Sequence, residues 1–107
     1  MSAALVWCPF PDEDEAAALA GRLLDEGLIV CANLLPAMRS LYRWNGERGE
    51  ARECGALFKT TPVLLPEAIA RIEALHSYAA PAIVGWAADA CGAATAAWLA
   101  DLDRAAQ

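Results

Sequence analysis

The sequence predicts an α/β (α+β) fold of order β-α-β-β-α-β, with a further helix at the C-terminal end. Three observations lead there. Short apolar, β-branched runs alternate with stretches in which apolar residues recur at helical spacing. Asn45-Gly46 is the strongest short-range hairpin signal a sequence offers. The length of 107 residues suits a single domain, expected here to span 1–107, because one core usually grows to roughly 100 to 150 residues before a chain splits.

Taken in order, the run AALVWC from Ala3 to Cys8, closed by Pro9 and Pro11, reads as a buried strand followed by a loop. Asp12 with Glu15 three residues later forms a capping arrangement. Ala16, Leu19, Ala20, Leu23 and Leu24 then make the buried stripe of an amphipathic helix that stops at Gly27. From Leu28 to Trp44 the pattern becomes that of a strand, and a partner returns from Glu50 to Thr60. With a two-residue turn at Asn45-Gly46, an uninterrupted ladder sets Cys54 opposite Ala37 and Lys59 opposite Ala32. Cys31 and Cys54 are then out of register, so a disulfide between them is excluded. Thr61-Pro62 is the expected entry to a second helix with Leu65, Ala68, Ile69, Ile72 and Leu75 inward, ending near His76. Ala82 to Ala88 is the last strand, and Gly92 precedes an alanine-rich helix through Trp98 and Leu102. With right-handed crossovers this order gives a ferredoxin-like antiparallel sheet, both main helices on one face and the other face uncovered. The final helix or another subunit is expected to cover that face.

The hairpin is the unusual element. Residues 29 to 44 extend about 50 Å at ~3.3 Å each, against a radius of gyration near 13 Å for a compact chain of this length. It must protrude or bend. A two-stranded ribbon is marginal alone in water, and this one carries Leu41, Tyr42 and Trp44 near its tip, so a second copy of the chain is expected to sheathe it. The competing reading is a bulge or break at Pro36 that divides the strand inside one globule.

Composition narrows the partners. With 58% hydrophobic residues, against ~45–50% in ordinary soluble domains, apolar surface is left over for a partner, although the many alanines inflate the figure. A net charge of −6 argues against nucleic acid. No apolar run reaches the roughly 20 residues of a membrane span and no secretion signal is seen, so a cytoplasmic protein is expected. Cys8, Cys31, Cys54 and Cys91 show no zinc-ligand spacing and read as free thiols, packed as small hydrophobes.

Several strings resemble the CutA family of divalent-cation tolerance proteins over nearly the whole chain. Cys31, Asn33, Pro36, Ser40, Tyr42, Trp44 and Gly46 stand in the family's CxN, P, SxYxWxG order. Glu53, Lys59 and Thr60 continue it as ExxxxxKT, His76, Tyr78, Pro81 and Ile83 match HxYxxPxI, and Trp98 falls where the final helix carries tryptophan. The resemblance implies a homotrimer whose long hairpins interlock, with a role in divalent metal ion tolerance, copper included, through weak metal binding. It also implies a likeness to PII-type regulatory trimers, which hold small ligands in clefts between subunits. That activity does not follow from fold alone. The family string reads HPYEVPEI, whereas Ser77, Ala79 and Ala82 replace its first proline and both glutamates here. Alanine neither ligates a metal nor moves a proton. Thr95 likewise stands where an aromatic is common.

Cys31 and His76 carry the thiolate and imidazole that suit copper or zinc, and Glu53 or a neighbouring subunit is the expected third ligand. The plainer reading of His76 is a helix-end residue bonding backbone carbonyls. Asn33, Ser40, Tyr42, Glu53, Lys59 and Tyr78 are expected to line an inter-subunit cleft or to build the network that fixes the trimer. Trp44, Trp86 and Trp98 read as packing anchors. No GxSxG, HExxH, phosphate-loop or dinucleotide motif occurs, so no enzyme is expected.

Overall fold

The structure, a computed structural model, describes residues 2–106. Seven elements follow one another: β1 (Ala4–Phe10), α1 (Glu13–Asp25), β2 (Cys31–Trp44), β3 (Glu47–Thr60), α2 (Leu65–Leu75), β4 (Val84–Ala87) and α3 (Ala93–Ala106). The four strands form one antiparallel sheet in the order β2-β3-β1-β4, as the ferredoxin-like arrangement requires.

Alternation along β1 divides the sheet into two faces. Ala4, Val6, Cys8 and Phe10 are buried beneath α1 and α2, whereas Leu5, Trp7 and Pro9 point to the other side. On the helix side, Ala16, Leu19, Ala20 and Leu23 of α1 and Ala68 and Ile72 of α2 close over Phe58, Ala56 and Cys54. Asp12 caps α1 by accepting the Glu15 amide at 2.8 Å. Leu24, placed in the stripe by spacing, is 46% exposed, because the stripe is only wide enough for the other four. The guanidinium of Arg71 donates twice to Glu26, joining α2 to α1, and these bonds hold the Glu26 carboxyl below its ordinary value.

β1 runs on through Pro9 to Phe10 and β2 opens at Cys31 rather than Leu28, and three further boundaries differ from the sequence reading, each for a local reason. The second helix begins at Leu65 rather than near Pro62, because Pro66 lacks an amide hydrogen and is tolerated only in a first turn. Residues 62–64 form a turn instead, with the Leu64 amide donating back to Thr61. β4 is trimmed to Val84–Ala87, where its partner β1 begins and ends the ladder. β3 starts at Glu47, directly after the turn, since Asn45 (φ 51°) and Gly46 (φ 79°) adopt the left-handed pair that matches strand twist.

The largest correction lies in the hairpin register. Trp44 faces Glu47 and Met38 faces Glu53, as a two-residue turn dictates, but between Leu35 and Met38 the ladder slips by one residue. Pro36 cannot donate to a ladder and Ala37 sits at φ 55°, so the two residues bulge out of the pairing. Lys59 therefore faces Cys31, not Ala32, and Cys54 has no single partner at Ala37. The bulge does not divide the strand, which continues to Trp44. It does reverse the parity of β2. Cys31 and Asn33, odd-numbered, and Ser40, Tyr42 and Trp44, even-numbered, all project from the same open face.

The molecule measures 44 × 26 × 22 Å, its length set by the hairpin. α3 docks through Leu99, which is buried, and Leu102, while Thr61 donates a 2.5 Å hydrogen bond to Asp103. That contact adds to the helix-side core and leaves the open face bare. Leu35, Tyr42, Trp44, Val84 and Trp86 lie on this face, between 44% and 59% exposed. No helix among the described residues is long and apolar enough to cross a membrane.

Candidate functional site

Where β1 ends, three segments meet. Pro9-Phe10-Pro11 turns the chain into α1, α2 terminates at His76, and residues 76–83 carry the chain around to β4. His76 leaves the helix in extended conformation (φ −68°, ψ 143°), its amide still donating to Ile72. This turns the imidazole inward, where it stacks on Phe10 with ring centroids 4.4 Å apart and 19° between planes. Its Nε2 lies 2.9 Å from the Pro9 carbonyl, and its Nδ1 is 3.1 Å from the Tyr78 amide. A carbonyl only accepts and an amide only donates, so the neutral Nε2–H form satisfies both contacts. The Glu15 carboxylate stands 3.8 Å from Nδ1 and accepts the Ser77 amide at 3.1 Å. His76 thus bonds a carbonyl of β1, not of its own helix, and fastens the following loop.

The loop then reaches the open face. The Tyr78 hydroxyl donates to Glu53 at 2.8 Å, and its ring sits 4.9 Å from that of His76. Between this loop and the distal hairpin lies a cleft of about 680 Å³, bordered by Pro9, Ser40, Tyr42, Trp44, Glu53, Tyr78 and Pro81. Tyr42 lies flat across the neighbouring strand because Gly49 has no side chain; a Cβ there would come within 2.5 Å of the ring. Gly55 makes the same allowance for Trp7, at 2.3 Å. Such glycines inside a strand pattern are a legible sign of close approach. Glu15 carries no comparable mark, since its capping position already explains it.

The electrostatics follow from burial beside two carboxylates. Burial, the hydrogen bond to Glu53 and the charges of Glu53 and Glu15 push the Tyr78 hydroxyl up to about 12. Burial first, then Glu53 and Glu15, push the Cys8 thiol up to about 12 as well. Both groups stay protonated at neutral pH, and neither is an activated nucleophile.

The residues expected to gather around a metal are not gathered within one chain. Cys31 opens β2 opposite Lys59, six residues along β3 from Glu53, or roughly 20 Å at ~3.3 Å per residue. His76 and Glu53 are linked only through Tyr78, and both nitrogens of His76 are engaged. Among the described residues no three His, Cys, Asp or Glu side chains form a metal-holding group. Asn33 and Lys59 share the open face with Cys31, Ser40 and Tyr42 border the cleft, and Trp98 stands half exposed on α3. All four cysteines are free.

The model of the CutA1 divalent ion tolerance protein family matches residues 4–102. This chain belongs to that family. The divalent-cation tolerance protein CutA of Thermus thermophilus is 42% identical over 74 residues, 69% of this chain and 72% of that one. The CutA protein of Thermococcus kodakarensis is 35% identical over 100 residues, 94% of this chain and 95% of its own. The crystal structure of the divalent ion tolerance protein CutA1 from Ehrlichia chaffeensis superposes with a TM-score of 0.87 at 30% identity, covering 94% of both chains. In this CutA1 member the cleft carries its aromatic and carboxylate groups in Tyr42, Trp44, Tyr78 and Glu53, while Ala80, Pro81 and Ala82 line it from the 76–83 loop without a polar side chain.

Proposed function

We propose that this chain acts as a homotrimer in divalent metal ion tolerance, copper foremost, each hairpin being sheathed by sister copies. The bare open face carries the reading: Leu35, Tyr42, Trp44, Val84 and Trp86 form an apolar surface that neither α3 nor the main helices cover, flanked by the edge strand β2. Surfaces of this kind mark protein contacts, and unpaired edges invite strand partners. Membership of the tolerance family supports the physiological role. Residence in the cytoplasm is part of the proposal and is supported by four free thiols. The reading assigns no catalysis.

Weak metal uptake is proposed through Cys31, the soft ligand on the open face, with the remaining ligands drawn from neighbouring subunits. His76 would join only by giving up one of its two hydrogen bonds, to the Pro9 carbonyl or from the Tyr78 amide. Elemental analysis of protein equilibrated with copper or zinc tests this. Bound metal is expected to fall at least severalfold in Cys31→Ala, and equal metal content in both proteins removes Cys31 from the proposal.

A second reading is favoured by the cleft itself. Its size of about 680 Å³ lies within the roughly 300–1,000 Å³ of small-molecule sites, which supports a PII-like regulatory trimer with ligands held between subunits.

A further inference from the structure

We propose that the cleft under the hairpin binds a small organic ammonium ion, a protonated aliphatic amine whose charge sits on Glu53 and whose carbon chain lies against Tyr42, Trp44 and Pro81. The inference rests on the cleft reading just given and names its ligand class. Glu53 is the anionic group on the cleft wall. One of its oxygens accepts the Tyr78 hydroxyl at 2.8 Å, which fixes the carboxylate in place; the other takes no hydrogen bond from a described residue. A second charge-assisted bond is therefore open to a donor entering the cleft. Arg43, the basic residue on the rim, is turned toward the hairpin tip, where it donates to the Gly46 carbonyl at 3.3 Å.

The surroundings select the kind of cation. The wall is negative, since Glu53 lines the cleft and the Glu15 carboxylate stands behind it, 3.8 Å from His76 Nδ1. An anion is repelled. A metal ion needs several donors in exchange for its water shell, and the residues here supply one carboxylate, with both His76 nitrogens engaged. An ammonium ion needs less. Aromatic faces attract it through their quadrupoles, and the walls offered by Trp44, Tyr42 and Pro81 cover its methylenes.

The test titrates the full chain with n-butylammonium chloride, n-butanol, sodium butyrate and magnesium chloride at matched ionic strength, following the Trp44 indole and Tyr78 amide resonances. Saturable shifts of both signals with butylammonium alone are expected. Glu53→Gln keeps an acceptor for the Tyr78 hydroxyl but removes the charge, so it should weaken butylammonium by about tenfold while the unfolding midpoint stays put. Butanol binding as tightly as butylammonium keeps the cleft as a small-molecule site and overturns its preference for a cation. Saturation by magnesium overturns it in favour of an inorganic ion. If no probe moves either signal, as when a sister subunit fills the cleft, this inference and the cleft reading fall together.

Discussion

Replacing Phe10 by alanine should lower stability by about 3–5 kcal/mol, the usual range for emptying an aromatic site in a packed core. Phe10 has no exposed surface, meets Phe58 edge-on with centroids 6.3 Å apart, and supports the His76 ring on its other side. The cavity would therefore open where the sheet core and the 76–83 loop share one side chain. Urea unfolding at fixed protein concentration measures the loss as a lower midpoint with unchanged slope. Leu24→Ala, on the exposed side of α1, is the control and should change stability by no more than about 0.5 kcal/mol. A loss below about 1.5 kcal/mol for Phe10→Ala would mean that the ring is not the joint between core and loop.

The second large effect is on assembly. The double variant Tyr42→Asp, Trp44→Asp is expected to dissociate the protein to single chains of 11.3 kDa while its far-ultraviolet dichroism remains that of the folded state. Both side chains lie on the open face and outside the helix-side core, so the fold of one chain does not depend on them. An interface does. Two carboxylates placed beside Leu35 and pressed against the apolar surface of a sister chain must be desolvated without partners, a cost of several kcal/mol per subunit contact. An oligomer that survives the double substitution, measured by sedimentation at micromolar concentration, would place the contact surface elsewhere.

The order of elements was legible because local signals carry it. Asp12 with Glu15, the Asn45-Gly46 turn and the stripes of α1 and α2 act over a few residues, and each appears where its spacing indicates, Leu24 excepted. The family strings were legible for the same reason. What escaped depends on pairing at a distance. Pro36 announced a disturbance, but its outcome, a one-residue slip with Ala37 in the left-handed region, is decided by how Leu35 and Met38 meet Gly55 and Glu53 on the other strand. That slip alone determines that Cys31 and Asn33 share a face with Tyr42 and Trp44.

The site shows the same division. Tyr42, Glu53, His76 and Tyr78 were recognisable as residues of consequence, yet their roles come from partners far away in sequence. Glu15 and Pro9 reach His76 across more than sixty residues, and nothing local to either marks that contact. The expected union of Cys31 with His76 and Glu53 failed within one chain because β3 holds its two ends apart. Two prolines were misread local signals: the missing amide hydrogen of Pro66 already excludes a helix begun at Pro62, and Pro9 does not close β1, which runs on to Phe10.

The native mass of the unmodified chain, taken by light scattering across micromolar dilutions, bears on the assembly most directly. A mass three times 11.3 kDa, with tryptophan emission typical of rings shielded from water, is the expected result. A mass of 11.3 kDa with Trp44 freely quenched by a small solute would contradict it.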